Sequence, residues 1–197
     1  MNRKIGTVSS IVNLLAVLGF AVSMLFRFNT GSYFCSMFIA LSFVPMMCDF
    51  LHFAAPERKI AGYAAATFSG VYAAIILLVY FTQLTTVRFG GLTKQAQELL
   101  DFQQMNLFFS LDLLGYALMA LSTFFAGLTI RPDRKADKCL RALLLIHGVF
   151  FISCLLLPML GIFHADSPAW IGIAVLEFWC AYFCPVAILS FLHFRSM

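Results

Sequence analysis

The chain has 197 residues, of which 62% are hydrophobic and 11% charged, with a mean hydropathy of +0.93 and a formal net charge of +4. A soluble domain is about 25% charged and about 45–50% apolar, so this composition leaves too little polar surface to cover a soluble core. The 13 Lys and Arg are scattered and the 23 Phe fall mostly inside apolar runs, which excludes a basic groove for nucleic acid.

Apolar runs occupy roughly 5–26, 33–55, 60–83, 106–130, 140–163 and 168–194. Each is long enough for the ~30 Å hydrocarbon core of a bilayer, which takes about 20 helical residues. The predicted fold is therefore an all-α integral membrane protein, a single bundle of six transmembrane helices over 1–197 with no separate soluble domain. The first run follows Met-Asn-Arg-Lys, but it is too long for a signal-peptide core and lacks a clear small-x-small cleavage site. It is read as a span, on which Asn13 aligns with Ser9 and Ala16 as a face suited to helix packing.

Span two carries Pro45 and Asp49, the latter three residues before His52 on the same helix surface. Asp49 lies near the span's end and is expected to anchor to loop cations such as Arg58 or Arg141. In span three Gly62, Ala66, Gly70 and Ala74 recur every fourth residue and predict a smooth stripe for close helix approach. Tyr63, Tyr72 and Tyr80 add hydroxyls, with Tyr63 and Tyr80 placed as interfacial belt residues near its two ends.

The long third connection is broken by Gly90-Gly91. Thr93 is then placed to cap a short helix over Thr93–Phe102, with Leu92, Ala96, Leu99 and Leu100 on one face. Such a helix lies at the membrane interface, either as a lid or, the commoner case, as a linker resting on the headgroups. Pro158 in span five and Pro185 in span six, like Pro45, tend to kink their helices. Phe50-Leu-His-Phe53 and Phe191-Leu-His-Phe194 look like a repeat, but their spacings from the upstream prolines differ, and His52 and His193 are read as interfacial aromatics.

Ten cations (Arg3, Lys4, Arg58, Lys59, Arg131, Arg134, Lys135, Lys138, Arg141 and Arg195) belong to the termini and the second and fourth connections. Arg27, Arg88 and Lys94 belong to the other side. The positive-inside rule then places both termini in the cytoplasm of a multi-pass cell-membrane protein.

The ionisable residues inside the spans are the functional candidates. Asp112 lies roughly 9 Å and Glu177 roughly 13 Å from the outer ends of spans four and six, at 1.5 Å per residue. They are expected at similar depth, facing one interior space. Asp112 shares a face with Tyr116, and His147 in span five supports the pair. Glu177, Asp112, His147 and Tyr116 are thus the predicted ligand-binding residues. The alternative for the same groups is a structural one, in which they are protonated or hydrogen-bonded and join helices.

No cofactor or metal is implied. Cys35, Cys48, Cys139, Cys154, Cys180 and Cys184 show no metal-ligand spacing and are read as small hydrophobes. There is no His-Glu-x-x-His, Gly-x-Ser-x-Gly, phosphate loop, arginine ladder or potassium-filter sequence. The expected function is a binding or transport module for a small molecule, ion or lipid-like ligand. A lipid- or isoprenoid-modifying enzyme and an accessory subunit are the alternatives; the expected partners are membrane lipids, such a ligand, or a partner membrane subunit. In size and topology, though in no motif, the chain resembles the six-helix substrate-binding subunits of energy-coupling-factor vitamin importers.

Overall fold

A computed structural model describes residues 2–161 and 169–197. The ends of the two runs predicted at 140–163 and 168–194, with the connection between them, lie outside the described residues. The described chain is helical throughout: α1 (Asn2–Leu25), α2 (Asn29–Phe53), α3 (Lys59–Thr82), α4 (Lys94–Leu100), α5 (Leu107–Thr129), α6 (Lys135–His147), α7 (Val149–Met159) and α8 (Ala169–Ser196). Six segments are long and apolar enough to cross a membrane: Asn2–Leu25, Asn29–Phe53, Pro56–Val87, Leu107–Thr129, Lys135–Met159 and Trp170–Ser196. Large apolar side chains such as Leu15, Leu25, Leu78, Phe81 and Phe178 point outward. A fold that hides its polar groups inside and turns leucine and phenylalanine outward suits lipid, and the protein is a multi-pass membrane protein by this measure.

The helices form a ring in which α1 packs on α2 and α8, α2 on α3, α3 on α5, and α5 on α6 and α7. The ring closes through α6 on α8, whereas α7 packs mainly on α5 and meets α8 where Phe150 lies edge-on to Tyr182 at 6.1 Å. Both termini lie at one end, where the Arg3 guanidinium donates to the carbonyl of Arg195 and Asn2 meets His52 at 3.0 Å. The predicted polar-small face of α1 is buried: Gly6, Ser9, Ser10, Asn13, Ala16, Val17 and Phe20 line it. Asn13 Nδ2 donates to Ile39 O at 3.2 Å and Ser42 Oγ at 3.0 Å, tying α1 to α2.

Several expectations are corrected. Span five, Lys135–Met159, runs its full length but tightens at Gly148, which keeps a helical backbone at φ −55° and ψ −22°. The Gly148 N–H bonds Leu145 O, and Phe151 N–H bonds Gly148 O. These tight turns press the backbone on Phe124, whose Cβ would lie 2.9 Å from an added Cβ. Pro45 and Pro185 sit inside unbroken helices.

The small-residue stripe of α3 packs only at its start, where Gly62 is buried against Leu51 of α2 and Ala66 is half-buried. Gly70 and Ala74 are exposed and nothing approaches Gly70 within 4 Å. From Gly62 the buried face continues through Ala65, Ser69, Tyr72, Ala73, Ile76, Val79 and Tyr80. Tyr80 is therefore a core residue, while Tyr63 is exposed as a belt residue would be.

Asp49 does not pair with Arg58 or Arg141. Its Oδ2 accepts from the backbone N–H of Gly6, in the second turn of α1, at 2.7 Å. Gly6 is needed there, since an added Cβ would run into Asp49 and Phe194. Arg58 donates to Ile130 O at 2.6 Å, and Lys59 Nζ to Leu51 O and His52 O at 2.7 and 2.9 Å. These cations satisfy carbonyls at the C-terminal ends of α5 and α2, where the helix dipole favours positive charge. His193 is buried, not interfacial, and its Nδ1 lies 2.8 Å from Asp137 Oδ1.

The third connection contains α4, capped by Thr93, whose side chain accepts from Ala96 N–H at 3.3 Å. Of its predicted apolar face, Leu92, Ala96 and Leu100 are half-buried and Leu99 is exposed.

Candidate functional site

Side chains of α2, α3 and α5 gather one buried cluster of hydroxyl and carboxyl oxygens, termed the chamber. Asp112 and Tyr116, four residues apart, lie one above the other on the inner face of α5. Tyr72 and Tyr80 come from α3 and Ser36 from α2, and Tyr72 and Ser36 are fully buried. Asp112 is 5% exposed and Tyr80 3%. The Tyr80 hydroxyl lies beside Asp112 and Ser36, and Tyr116 beside Ser36, Tyr72 and Asp112. The Tyr72 and Tyr116 rings meet at 5.9 Å between centroids, and Tyr72 packs edge-on against Phe43 at 5.4 Å.

Asp112 Oδ1 and the hydroxyls of Tyr72 and Tyr116 are buried with no hydrogen-bond partner in the protein. Each such group costs about 1–3 kcal/mol when unsatisfied, and the neighbouring polar groups are the Tyr80 hydroxyl beside Asp112 and Ser36 beside Tyr116. No Lys, Arg or His is among the charged and polar groups found around Asp112. An unpaired carboxylate away from water is neutralised, either by a proton or by a cation held against it.

His147 belongs to a separate, satisfied network. Trp179 Nε1 donates to His147 Nε2 at 3.1 Å, so Nε2 is the acceptor and the neutral ring carries its proton on Nδ1. That proton goes to Thr123 Oγ1 at 2.8 Å, and the Thr123 hydroxyl donates to Ala120 O at 2.8 Å. The imidazole thus joins α5, α6 and α8 and keeps no free nitrogen. Trp179 also touches the chamber wall, with its ring 5.6 Å from that of Tyr116.

Glu177 stands apart. Tyr182 and His193 turn one flank of α8 to α6, through Leu143 O at 2.6 Å and Asp137. Ala187, Ile188 and Phe191 turn the other flank to Ser10, Ile11 and Leu14 of α1, around an apolar groove of about 250 Å³. Glu177 falls on that second flank by its spacing of 11 and 14 residues from Ile188 and Phe191. It is half-buried, its Oε1 has no partner, and its titratable neighbour is Cys180, which also adjoins Tyr116. The structure therefore brings together Asp112 and Tyr116 of the four predicted residues, and joins neither Glu177 nor His147 to them.

Tyr72, Tyr80 and Ser36 complete the chamber and were not among the predicted site residues. Their only sequence signal is a hydroxyl within an apolar span; which way it turns depends on how α2 and α3 pair with α5.

At the end that carries the termini, a cavity of about 430 Å³ is lined by Phe50, Phe53, Ile130, Arg134, Asp137 and His193 among others. Arg134 grips Asp137 with two bonds of 2.7 and 2.9 Å, and this contact raises the guanidinium pKa. Its charges are matched within the protein, unlike that of Asp112. Among the described residues no group of three His, Cys, Asp or Glu could hold a metal ion. No protein-family model, curated protein or solved structure matches the chain.

Proposed function

We propose that this protein is a membrane-embedded binding and transport module whose ligand is a small monovalent cation, ammonium groups included, with Asp112 as the counter-charge. The observation that carries this reading is the trio of buried, unpartnered oxygens at Asp112, Tyr72 and Tyr116. A carboxylate beside phenolic oxygens supplies hard acceptors and one negative charge, and aromatic faces nearby favour a cation further. In this reading the termini are cytoplasmic, the membrane is the cell membrane, and α4 lies at the outer interface over the chamber. The ten-to-three partition of Lys and Arg supports that orientation.

Trp179 gives the test its readout. The chain has 2 Trp, and Trp170→Phe leaves Trp179 alone against Tyr116. In nanodiscs its emission is expected to change saturably with sodium, potassium or ammonium chloride, relative to N-methylglucamine chloride at equal ionic strength. Asp112→Asn should abolish the response, and acid should weaken it because proton and cation compete for one carboxylate. A response to none of the three salts, or one that survives Asp112→Asn, would sink the reading.

A further inference from the structure

The chamber has a cover at the end of the bundle opposite the termini. After α3 the chain makes a wide π turn, Gln83–Val87, and Gln83 itself is 3% exposed. Such turns re-aim side chains within a helix and recur at functional positions. Gln83 reaches across to the third connection with both ends of its amide. Its Nε2 donates to Leu100 O at 2.7 Å, and its Oε1 accepts from Phe102 N–H at 3.0 Å.

These two bonds drive the Phe102 ring into the bundle. It lies 5.9 Å from Tyr33, 5.9 Å from Tyr80 and 5.4 Å from Phe109. Tyr80 in turn stacks on Tyr33 at 5.4 Å and borders Asp112. Phe102 is thus the next aromatic layer above the chamber. A further bond, Gln103 Nε2 to Tyr33 Oη at 2.9 Å, fastens the same point.

Outside this fastening the segment is held to the start of α5 by Asn106 Nδ2, which donates to Glu98 O at 2.9 Å. No residue of α4 is buried, and its i,i+4 ion pair, Lys94 with Glu98, is exposed and 4.0 Å long. Both ends have residues suited to a change of direction. Gly90 and Gly91 take positive φ of 74° and 82° with nothing within 4 Å, and Met105 is left-handed at φ 53°. Hinges at both ends, a short amphipathic helix between them, and one buried amide holding one ring in place make a movable cover.

We propose that residues 92–104 are a gate over the Asp112 chamber, with Gln83 as its latch and Phe102 as its plug. The inference rests on the reading of that chamber as a binding site, and it assigns the route by which a ligand reaches it.

The test measures access rather than binding. Ser36→Cys, in a background whose six native cysteines are replaced by alanine or serine, puts a thiol on the chamber wall. The protein is placed in nanodiscs and treated with the small cationic reagent aminoethyl methanethiosulfonate. With Gln83 and Phe102 present the thiol is expected to react slowly compared with a single cysteine at the exposed position 139. Adding Gln83→Leu should speed the reaction on the order of tenfold, the factor lost with two hydrogen bonds of ordinary net strength. Phe102→Ala should speed it similarly while leaving Gln83 in place, and it decides the matter where Gln83→Leu fails to fold. Unchanged rates in the folded variants, or a wild-type gate that already lets the reagent in as fast as at position 139, would overturn the gate. A working gate with no Trp179 response to any cation would remove the binding reading alone, and the reverse pattern would remove the gate alone.

Discussion

Both ring nitrogens of His147 are taken up, by Trp179 and Thr123, whereas Asp112 and two of its tyrosines have donors and acceptors left over. The two kinds of buried polar residue respond differently to substitution. His147→Leu orphans the Trp179 N–H in an apolar interior, and should lower stability by about 1–3 kcal/mol, measured as unfolding in an SDS titration. The saturable cation response should persist. If that response vanishes while stability is unchanged, His147 is part of the site and not a joint. Asp112 was legible in the sequence because an acid inside an apolar run has few explanations. Tyr80 was misjudged because the belt rule reads depth along a helix and says nothing about which way the ring turns. The role of His147 was illegible for a similar reason, since its partners arrive from two other helices.

At the scale of elements, helix α3 separates pattern from packing. Its four-residue stripe of Gly and Ala is the usual mark of close approach, yet Tyr72, Ile76 and Val79 need the interior more, and their burial rotates Gly70 and Ala74 outward. The actual contact with α5 is at Ala65, fully buried, whose carbonyl accepts from Ser122 Oγ at 2.7 Å. Ala65→Leu should therefore overpack the α3–α5 seam and cost about 1–3 kcal/mol. Gly70→Leu should stay within about 0.5 kcal/mol of the parent. Equal losses at the two positions, read in the same SDS titration, would restore the stripe as a packing surface. The tightening at Gly148 was likewise hidden. Pro158 is the louder breaker in the sequence, but the tightened turn lies at Gly148, where Phe124 leaves no room for a Cβ.

At the scale of the whole molecule, the six spans were legible because length and apolarity alone define a crossing helix. The common site for Asp112 and Glu177 was inferred from matched depth. The fold gives them different azimuths, toward the α2–α3–α5 interior and toward α1. The bundle thus holds one unmatched carboxylate, Asp112, among tyrosines under the third connection, and the ion pairs of Arg134 with Asp137 and of Arg131 with Glu57 at 2.6 Å at the end with the termini. The most direct test of this arrangement is an anomalous difference map from crystals grown with thallium(I), which stands in for potassium- and ammonium-sized cations. The account predicts a peak bridging Asp112 and the Tyr72 and Tyr116 hydroxyls, absent from Asp112→Asn crystals. A map with no peak there, and with those three oxygens hydrogen-bonded to one another instead, would contradict it.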